Sequence, residues 1–254
     1  MAEPERCYCL HRLPATPPAD GRRLYFGAEF CFWRLPAESE LLAAVDWCRR
    51  FAWAFTLVTP VLNQGELDRL GVCLRRLLPR LAAGDELLVS DWGAIAPARQ
   101  IRADLPIVLG RALSAQKRDP LTASLDLSPA ELDVFRHSAW HNRAATELLA
   151  ELGIGRVELD SPVQGLAPLP APLHGTLHAP YAMVTSSRNC PFRPVPAATP
   201  CPAPCGETFR LTSVDGSRTL LQSGNTQFAE QHLLPENLAA LGIDRLVIHS
   251  QLPR

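Results

Sequence analysis

The sequence lacks a stretch that is long and apolar enough to cross a membrane. No run approaches the roughly 18 apolar residues that a spanning helix needs. The first residues carry neither the basic region nor the apolar stretch of a secretory signal, so we expect a cytoplasmic protein. Because thiols stay reduced in that compartment, we interpret the eight cysteines as metal ligands and core residues rather than as a disulfide framework.

An excess of charge of one sign is also lacking. The 25 Lys and Arg residues nearly cancel the 26 Asp and Glu residues, and the formal net charge is -1. We therefore expect no nucleic-acid partner, since such proteins usually carry a basic surface. Hydrophobic residues make up 47% of the 254 residues, enough to bury a sizeable core within one large domain.

Familiar catalytic motifs are missing as well. There is no phosphate loop, no dinucleotide fingerprint and no Gly-x-Ser-x-Gly elbow, and no hydrolase triad can be assembled. His137 and His141 have a spacing that could chelate a metal on a predicted helix, but no Glu follows His137. We interpret the two histidines as part of a half-exposed helix face, and we expect no peptidase activity.

What the sequence does contain is an alternation of short apolar runs with amphipathic stretches, which predicts strands that feed helices. The predicted strands cover residues 7–10, 24–28, 54–59, 86–90, 106–110, 156–160, 174–178 and 245–249. The predicted helices cover residues 37–51, 64–81, 92–101, 127–152 and 235–241. This pattern predicts an α/β protein whose residues 1–254 form a single TIM-like (β/α) barrel without its final helix. An open doubly wound sheet is the alternative.

One segment departs from this alternation. Residues 209–222 alternate around Asp215-Gly216, which is the strongest short hairpin signal in the chain. We expect a small β-hairpin insertion directly after a cysteine-containing loop, with residues 185–228 forming the loop and the insertion together.

Four cysteines are candidate metal ligands. If the strand before Cys31 and the strand before the later cysteines belong to one parallel sheet, both loops leave from the same carboxyl edge. The thiolates could then converge on one point, as a cubane iron–sulfur cluster requires. The four residues are Cys31, Cys190, Cys201 and Cys205.

Other interpretations of these cysteines stay open. A four-thiolate zinc site takes the same ligands, although two tight Cys-x-x-Cys knuckles are missing. The three later cysteines could also be unrelated loop residues. We interpret the remaining four, Cys7, Cys9, Cys48 and Cys73, as core residues.

Around the cysteines the sequence resembles a known family. Tyr25-Phe-Gly-Ala-Glu-Phe-Cys31, Tyr181-Ala-Met-Val-Thr-Ser-Ser-Arg-Asn-Cys190 and Cys201-Pro-Ala-Pro-Cys205 are similar to UbiV-like members of the collagenase-type peptidase family, which includes UbiU and UbiV. The hairpin at Asp215-Gly216, the Gln222-Ser-Gly-Asn225 stretch and the closing Ile243-Asp-Arg-Leu-Val-Ile-His-Ser occur there in similar order.

The resemblance implies a barrel-like fold that holds a 4Fe–4S cluster on Cys31, Cys190, Cys201 and Cys205. It implies a part in oxygen-independent hydroxylation during ubiquinone biosynthesis, in a heterodimer with a UbiU-like partner and with a prenylated aromatic quinone precursor as substrate. Some relatives hydroxylate RNA, which is one alternative. A non-catalytic scaffold stabilised by its metal is another.

Several polar residues are weaker candidates. Asp91 and Arg111 follow predicted strands at the barrel mouth, where each could line a substrate cavity or form a surface salt bridge. His178 could donate a hydrogen bond toward the cysteine loop, with a satisfied core histidine as the alternative. Arg188 could stabilise the charge of a cluster. The weakest candidates are Asn225 and Gln227.

Overall fold

The computed structural model describes residues 3–188, 190–193, 201, 205–216 and 218–253. These residues form twelve strands: β1 (Glu5–Cys9), β2 (Arg23–Gly27), β3 (Ala54–Thr59), β4 (Glu86–Val89), β5 (Ile107–Leu109), β6 (Arg156–Asp160), β7 (His174–Ala179), β8 (Tyr181–Ser186), β9 (Phe209–Thr212), β10 (Thr219–Ser223), β11 (Thr226–Glu230) and β12 (Ile243–His249). Strands β1 to β7 and β12 close into a parallel barrel in which β12 pairs with both β1 and β7. The predicted TIM-like barrel is confirmed, and the sheet is not an open doubly wound one.

Five α-helices surround the barrel in the described part of the chain: α1 (Glu38–Phe51), α2 (Gln64–Leu77), α3 (Ile95–Ile101), α4 (Pro129–Arg136) and α5 (Arg143–Glu151). The apolar faces of the first two are buried, with Leu41 and Val45 on α1 and Leu70 and Leu74 on α2. Their burial against the strands forms one side of the hydrophobic core. Within the described ranges, none of the helices could span a membrane.

The predicted continuous helix over residues 127–152 is wrong. Ser128 and Glu131 form the expected capping box at the start of α4, but the chain leaves the helix after Arg136. The Asn142 side chain then accepts hydrogen bonds from the backbone N–H groups of Ala144 and Ala145, which begins α5 as a separate helix. The predicted helix over residues 235–241 is likewise reduced to a 3₁₀ turn at Ala239–Leu241.

This break also corrects the position of the two histidines. His137 and His141 lie in the segment between α4 and α5 rather than on a helix face, with ring centroids 4.6 Å apart. The Nδ1 atom of His141 accepts a hydrogen bond from the Ser138 backbone N–H at 3.0 Å. The pair therefore stabilises a turn.

A four-stranded antiparallel sheet, in the order β8-β11-β10-β9, is inserted between β7 and β12. The predicted hairpin at Asp215-Gly216 is its β9–β10 connection, where Gly216 has a φ of +72°. The insertion is larger than one hairpin, because β8 follows directly from β7 and pairs with β11. Residues 194–200 and 202–204 of the predicted cysteine loop lie outside the described residues.

Gly27, the last residue of β2, offers a test of how closely the barrel strands approach each other at the mouth. It has a φ of +147°, and a Cβ atom there would lie 2.1 Å from the carbonyl oxygen of Val58. We expect Gly27→Ala to lower the free energy of unfolding in urea by about 3 kcal/mol. Gly155→Ala is the matched control, since its Cβ would meet nothing within 4 Å. Equal effects of the two substitutions would contradict this packing.

Candidate functional site

The carboxyl ends of the barrel strands, where parallel barrels place their reactive residues, carry the candidate cysteines. Cys31 follows β2 and precedes a 3₁₀ turn at Phe32–Arg34. Cys190 follows β8, and Cys205 precedes β9. The thiols reach this end of the barrel along two routes: the loop after β2 and the inserted sheet.

The pKa of the Cys31 thiol depends on its burial and on two of the other candidate ligands. Burial raises its pKa, while backbone hydrogen bonds from Trp33 and Arg34 act in the opposite direction. Negative charge on Cys205 or Cys190 raises the pKa further, so both thiols lie within electrostatic range of Cys31. The structure therefore brings three of the four predicted cysteines into one neighbourhood. The fourth, Cys201, is half-buried like the other three.

The donor chemistry of this neighbourhood suits an iron–sulfur cluster, because thiolates hold each iron and N–H groups directed at a sulfur stabilise its negative charge. The thiols are not yet arranged as the ligands of one metal centre, however. Within the ranges that the structure describes, no three His, Cys, Asp or Glu side chains lie close enough together to hold a metal ion. The thiols would have to approach each other to share one.

The inserted sheet is tied to the Cys31 loop by two hydrogen bonds. The Asn225 side-chain amide donates to the Phe30 carbonyl oxygen at 2.9 Å, and Arg34 donates to the Ser223 hydroxyl at 3.1 Å. Asn225, a weak candidate for substrate contact, thus joins the insertion to the loop. Gln227 lies in the β10–β11 ladder opposite Gln222, and the Arg188 carbonyl oxygen accepts from the Cys190 backbone N–H.

Arg111 lies at the mouth as predicted, and its salt bridges are buried rather than at the surface. Its guanidinium is fully buried and pairs with Glu29 at 2.6 Å and Asp160 at 2.8 Å. It also donates to the Tyr181 carbonyl oxygen at 2.9 Å. Arg118 completes the group by pairing with Asp160 at 2.6 Å. We call Glu29, Arg111, Arg118 and Asp160 the mouth ion-pair network.

Asp91 has a structural role at the mouth. Its carboxylate accepts a hydrogen bond from the Leu62 backbone N–H at 3.1 Å and another from Gly93 at 2.8 Å. It thereby joins the loop after β3 to the loop after β4. The expected contact of Asp91 with a substrate stays a prediction.

Inside the barrel, beneath the mouth, a chain of hydrogen bonds links four strands, β2, β6, β7 and β12. The Tyr25 hydroxyl donates to Glu158 Oε1 at 3.0 Å, and Glu158 Oε2 contacts His178 Nε2 at 2.5 Å. His178 Nδ1 in turn lies 2.7 Å from His249 Nε2. All four side chains are buried, so His178 is a satisfied core histidine and does not reach toward the cysteine loop.

The sequence analysis missed Tyr25, Glu158 and His249. A usable signal was present in β6, where the polar residues Arg156, Glu158 and Asp160 alternate with Val157 and Leu159. Residues of a barrel strand face the interior and the surrounding helices in turn, so this alternation indicates that β6 directs polar side chains into the barrel.

A small pocket opens above this chain, with room for about one water molecule. Its described lining combines residues of the barrel strands and of the segments that follow them: Cys9, His11, Tyr25, Gly27, Glu29, Val58, Leu88, His178, His249 and Pro253. Cys9, expected in the core, therefore lines the pocket. Cys7 and Cys48 are fully buried as expected, and burial raises the pKa of Cys48 to about 12.

Fold and site together define a parallel α/β-barrel protein with thiols and buried ion pairs at its carboxyl-terminal mouth. No protein-family model matches the chain, and no curated protein matches it. Among solved structures, the CutC protein of Streptococcus agalactiae, named for copper homeostasis, is 14% identical, with a TM-score of 0.43 over 69% of this chain and 87% of that one. So distant a likeness carries no information about ligand or activity.

The mouth ion-pair network should contribute strongly to stability. Burial raises the pKa of Asp160, but the charges of Arg111 and Arg118 outweigh it and hold the pKa below its ordinary value. Because Asp160→Asn leaves Arg111 and Arg118 incompletely paired, we expect it to lower the free energy of unfolding by about 3 kcal/mol at neutral pH.

The effect of Asp160→Asn on the free energy of unfolding should depend on pH. Stabilisation by a carboxylate with a lowered pKa is present above the unfolded-state pKa and is lost as the pH falls through the folded-state value. The difference between wild type and Asp160→Asn in denaturant titrations should therefore shrink below about pH 4. Asp104→Asn is the control, because its ion pair with Arg102 is exposed and should contribute nothing measurable. A pH-independent difference would contradict the assignment.

Proposed function

We propose that this chain is a cytoplasmic 4Fe–4S protein that acts in oxygen-independent hydroxylation during ubiquinone biosynthesis. In this proposal it is a UbiV-like subunit that works with a UbiU-like partner on a prenylated aromatic precursor. The observation that carries the proposal is the position of Cys31 within electrostatic range of Cys190 and Cys205, which lie far away in the sequence. The substrate and the partner follow from the family resemblance around these cysteines.

The ligands in this proposal are the thiolates of Cys31, Cys190, Cys201 and Cys205. Bound there, a cluster would supply one-electron redox chemistry, which a hydroxylation without molecular oxygen needs. The chain's own contribution is to place and shield the sulfurs. Backbone N–H groups of Trp33 and Arg34 stabilise negative charge on Cys31.

The surroundings of the other thiols support the same assignment. Phe192 lies two residues after Cys190 and Phe209 lies four residues after Cys205, and their rings pack edge to face with centroids 6.0 Å apart. This contact joins the segment that carries Cys190 to the segment that carries Cys205. The hydrogen bond from Asn225 to the Phe30 carbonyl oxygen holds the two ligand-bearing segments together.

Metal analysis of the protein purified without oxygen tests the ligand set. We expect about four irons per chain, with matching sulfide and a broad visible absorbance that fades in air. Cys31→Ser should lose most of the iron because one thiolate is removed. Cys73→Ser is the matched control, since Cys73 lies on α2 and belongs to no ligand set. A wild-type chain that holds zinc and no iron, or equal iron in both variants, would sink the cluster.

A separate experiment tests the pathway. In a strain that lacks this chain and grows without oxygen, we expect ubiquinone to disappear and to return with wild type or Cys73→Ser. Cys31→Ser should not restore it, while immunoblots show the variant at normal abundance. If ubiquinone tracks protein abundance alone, the chain is a scaffold. Salt-dependent RNA binding with unchanged ubiquinone would instead favour RNA hydroxylation.

A further inference from the structure

The hydrogen-bond chain inside the barrel has a defined direction at its inner end. Arg245 donates a hydrogen bond to the Tyr25 hydroxyl oxygen at 3.2 Å, and an arginine side chain can only donate. The proton of the Tyr25 hydroxyl is therefore directed at Glu158 Oε1, 3.0 Å away. Glu158 accepts there, and its other oxygen, Oε2, faces His178.

From Glu158 outward, the donor and acceptor roles follow one after another when both imidazoles are neutral. A carboxylate only accepts, so His178 Nε2 carries the proton that bonds to Glu158. His178 Nδ1 must then accept, and His249 Nε2 must donate to it. The remaining nitrogen, His249 Nδ1, is left with a lone pair.

That lone pair belongs to a buried atom of a residue that lines the pocket. The His249 side chain is only 4% exposed, and its Nδ1 atom has no hydrogen-bond partner among the described residues. His249 itself lines the pocket at the barrel mouth. A buried imidazole nitrogen without a partner is costly in a folded protein, and one that faces a pocket is suited to meet a ligand.

We propose that His249 is a general base for a small molecule bound at the barrel mouth, with His178 and Glu158 as positioning residues. The O–H or N–H bond of the bound molecule breaks, and its proton joins His249 Nδ1. The proton on His249 Nε2 passes to His178 Nδ1 at the same time. The positive charge comes to rest on His178, against the Glu158 carboxylate, and the bound molecule keeps the electron pair.

The lining of the pocket indicates which molecules fit. The Glu29 carboxylate at the pocket is already paired with Arg111, and none of the described lining residues is a lysine or an arginine. Val58, Leu88 and Pro253 supply apolar surface. The lone pair on His249 Nδ1 needs a hydrogen-bond donor, and the pocket has room for one water-sized group. A hydroxyl or amine group that enters the pocket, with the rest of its molecule outside, meets these conditions, and a carboxylate, which only accepts, does not.

The electrostatics agree with the proposed path of the proton. Burial lowers the pKa of His249 well below its ordinary value, and positive charge on His178, Arg111 and His11 lowers it further. His249 is therefore a poor final holder of a proton, while His178 has a carboxylate beside it. The other titratable groups that face His249 across the pocket are Cys9, Tyr25 and Glu29.

Imidazole ¹⁵N NMR on the full-length chain, purified without oxygen, reads the tautomers directly. At about pH 9, well above the ordinary histidine pKa, we expect His249 Nδ1 to be unprotonated and Nε2 protonated. In Glu158→Gln the amide oxygen still accepts from Tyr25, so the NH₂ group donates to His178 Nε2. Every tautomer along the chain then reverses, and His249 Nδ1 becomes protonated.

Two further variants serve as controls for the assignment of the tautomers. Tyr25→Phe leaves the Glu158 carboxylate in place and should leave the tautomers unchanged. His249→Gln removes one set of resonances and so assigns them. A protonated His249 Nδ1 in wild type, or an unchanged tautomer in folded Glu158→Gln, would overturn the proposal. If Glu158→Gln does not fold, the wild-type tautomer and the ligand titration below still decide.

The ligand part is tested with methylammonium chloride and sodium formate at equal ionic strength. In wild type we expect methylammonium to shift the His249 Nδ1 resonance to a plateau, and formate to leave it in place. In Glu158→Gln the methylammonium affinity should fall by about tenfold or more, because Nδ1 no longer accepts. No response to methylammonium in wild type would overturn the site. Because none of these signals depends on iron content, the result is independent of the proposed cluster.

Discussion

The buried guanidinium of Arg111 is the interaction on which the arrangement of the barrel mouth depends. It binds Glu29 on the loop after β2, Asp160 at the end of β6 and the Tyr181 carbonyl oxygen at the start of β8. Glu29 lies two residues before Cys31, and β8 leads to Cys190. Because a buried charge must be fully paired, these three segments cannot separate without a large cost in free energy. The position of both cysteine-bearing segments thus follows from one side chain.

Charge also organises the barrel interior into layers. Near the amino ends of the strands, Arg23 and Arg245 pair with Glu5 and Glu86. An apolar layer that includes Val58, Leu88, Val108 and Val247 lies among the strands, and Tyr25 packs against it. Tyr25 is hydrogen-bonded to Arg245 on one side and to Glu158 on the other, so it connects the amino-end ion pairs to the histidine chain. The Glu158 carboxylate, which only accepts, sets the direction of the hydrogen bonds from His178 to His249.

The barrel was predictable because most barrel strands are short runs rich in apolar residues that alternate with amphipathic segments, a local property of the sequence. The break in the predicted helix over residues 127–152 was not predictable in the same way. It depends on local hydrogen bonds at Ser138 and Asn142 that compete with a continuous helix. The cysteines stood out by residue type alone. Glu158 and His249 did not, because their meaning arises only when β6, β7 and β12 lie side by side, a non-local fact. The sequence placed Arg111 correctly at the mouth. Its burial was not predictable, because it depends on ion pairs with Glu29 and Asp160, which are distant in the sequence.

The two proposed sites differ in how the chain supports them, and the difference has a physical consequence. His178 and His249 are on barrel strands, held by ladder pairing on both sides and by hydrogen bonds with each other, so their geometry is fixed without a ligand. The thiols of Cys31, Cys190 and Cys205 lie outside the strands, on segments joined to the barrel through Arg111 and Asn225. A shift of the cysteines toward a shared metal breaks no strand pairing, provided that the Arg111 ion pairs stay in place. A proton relay needs fixed distances, whereas a metal can draw its own ligands together. The barrel provides the fixed distances, and the inserted sheet with the Cys31 loop provides ligands that a metal can draw together.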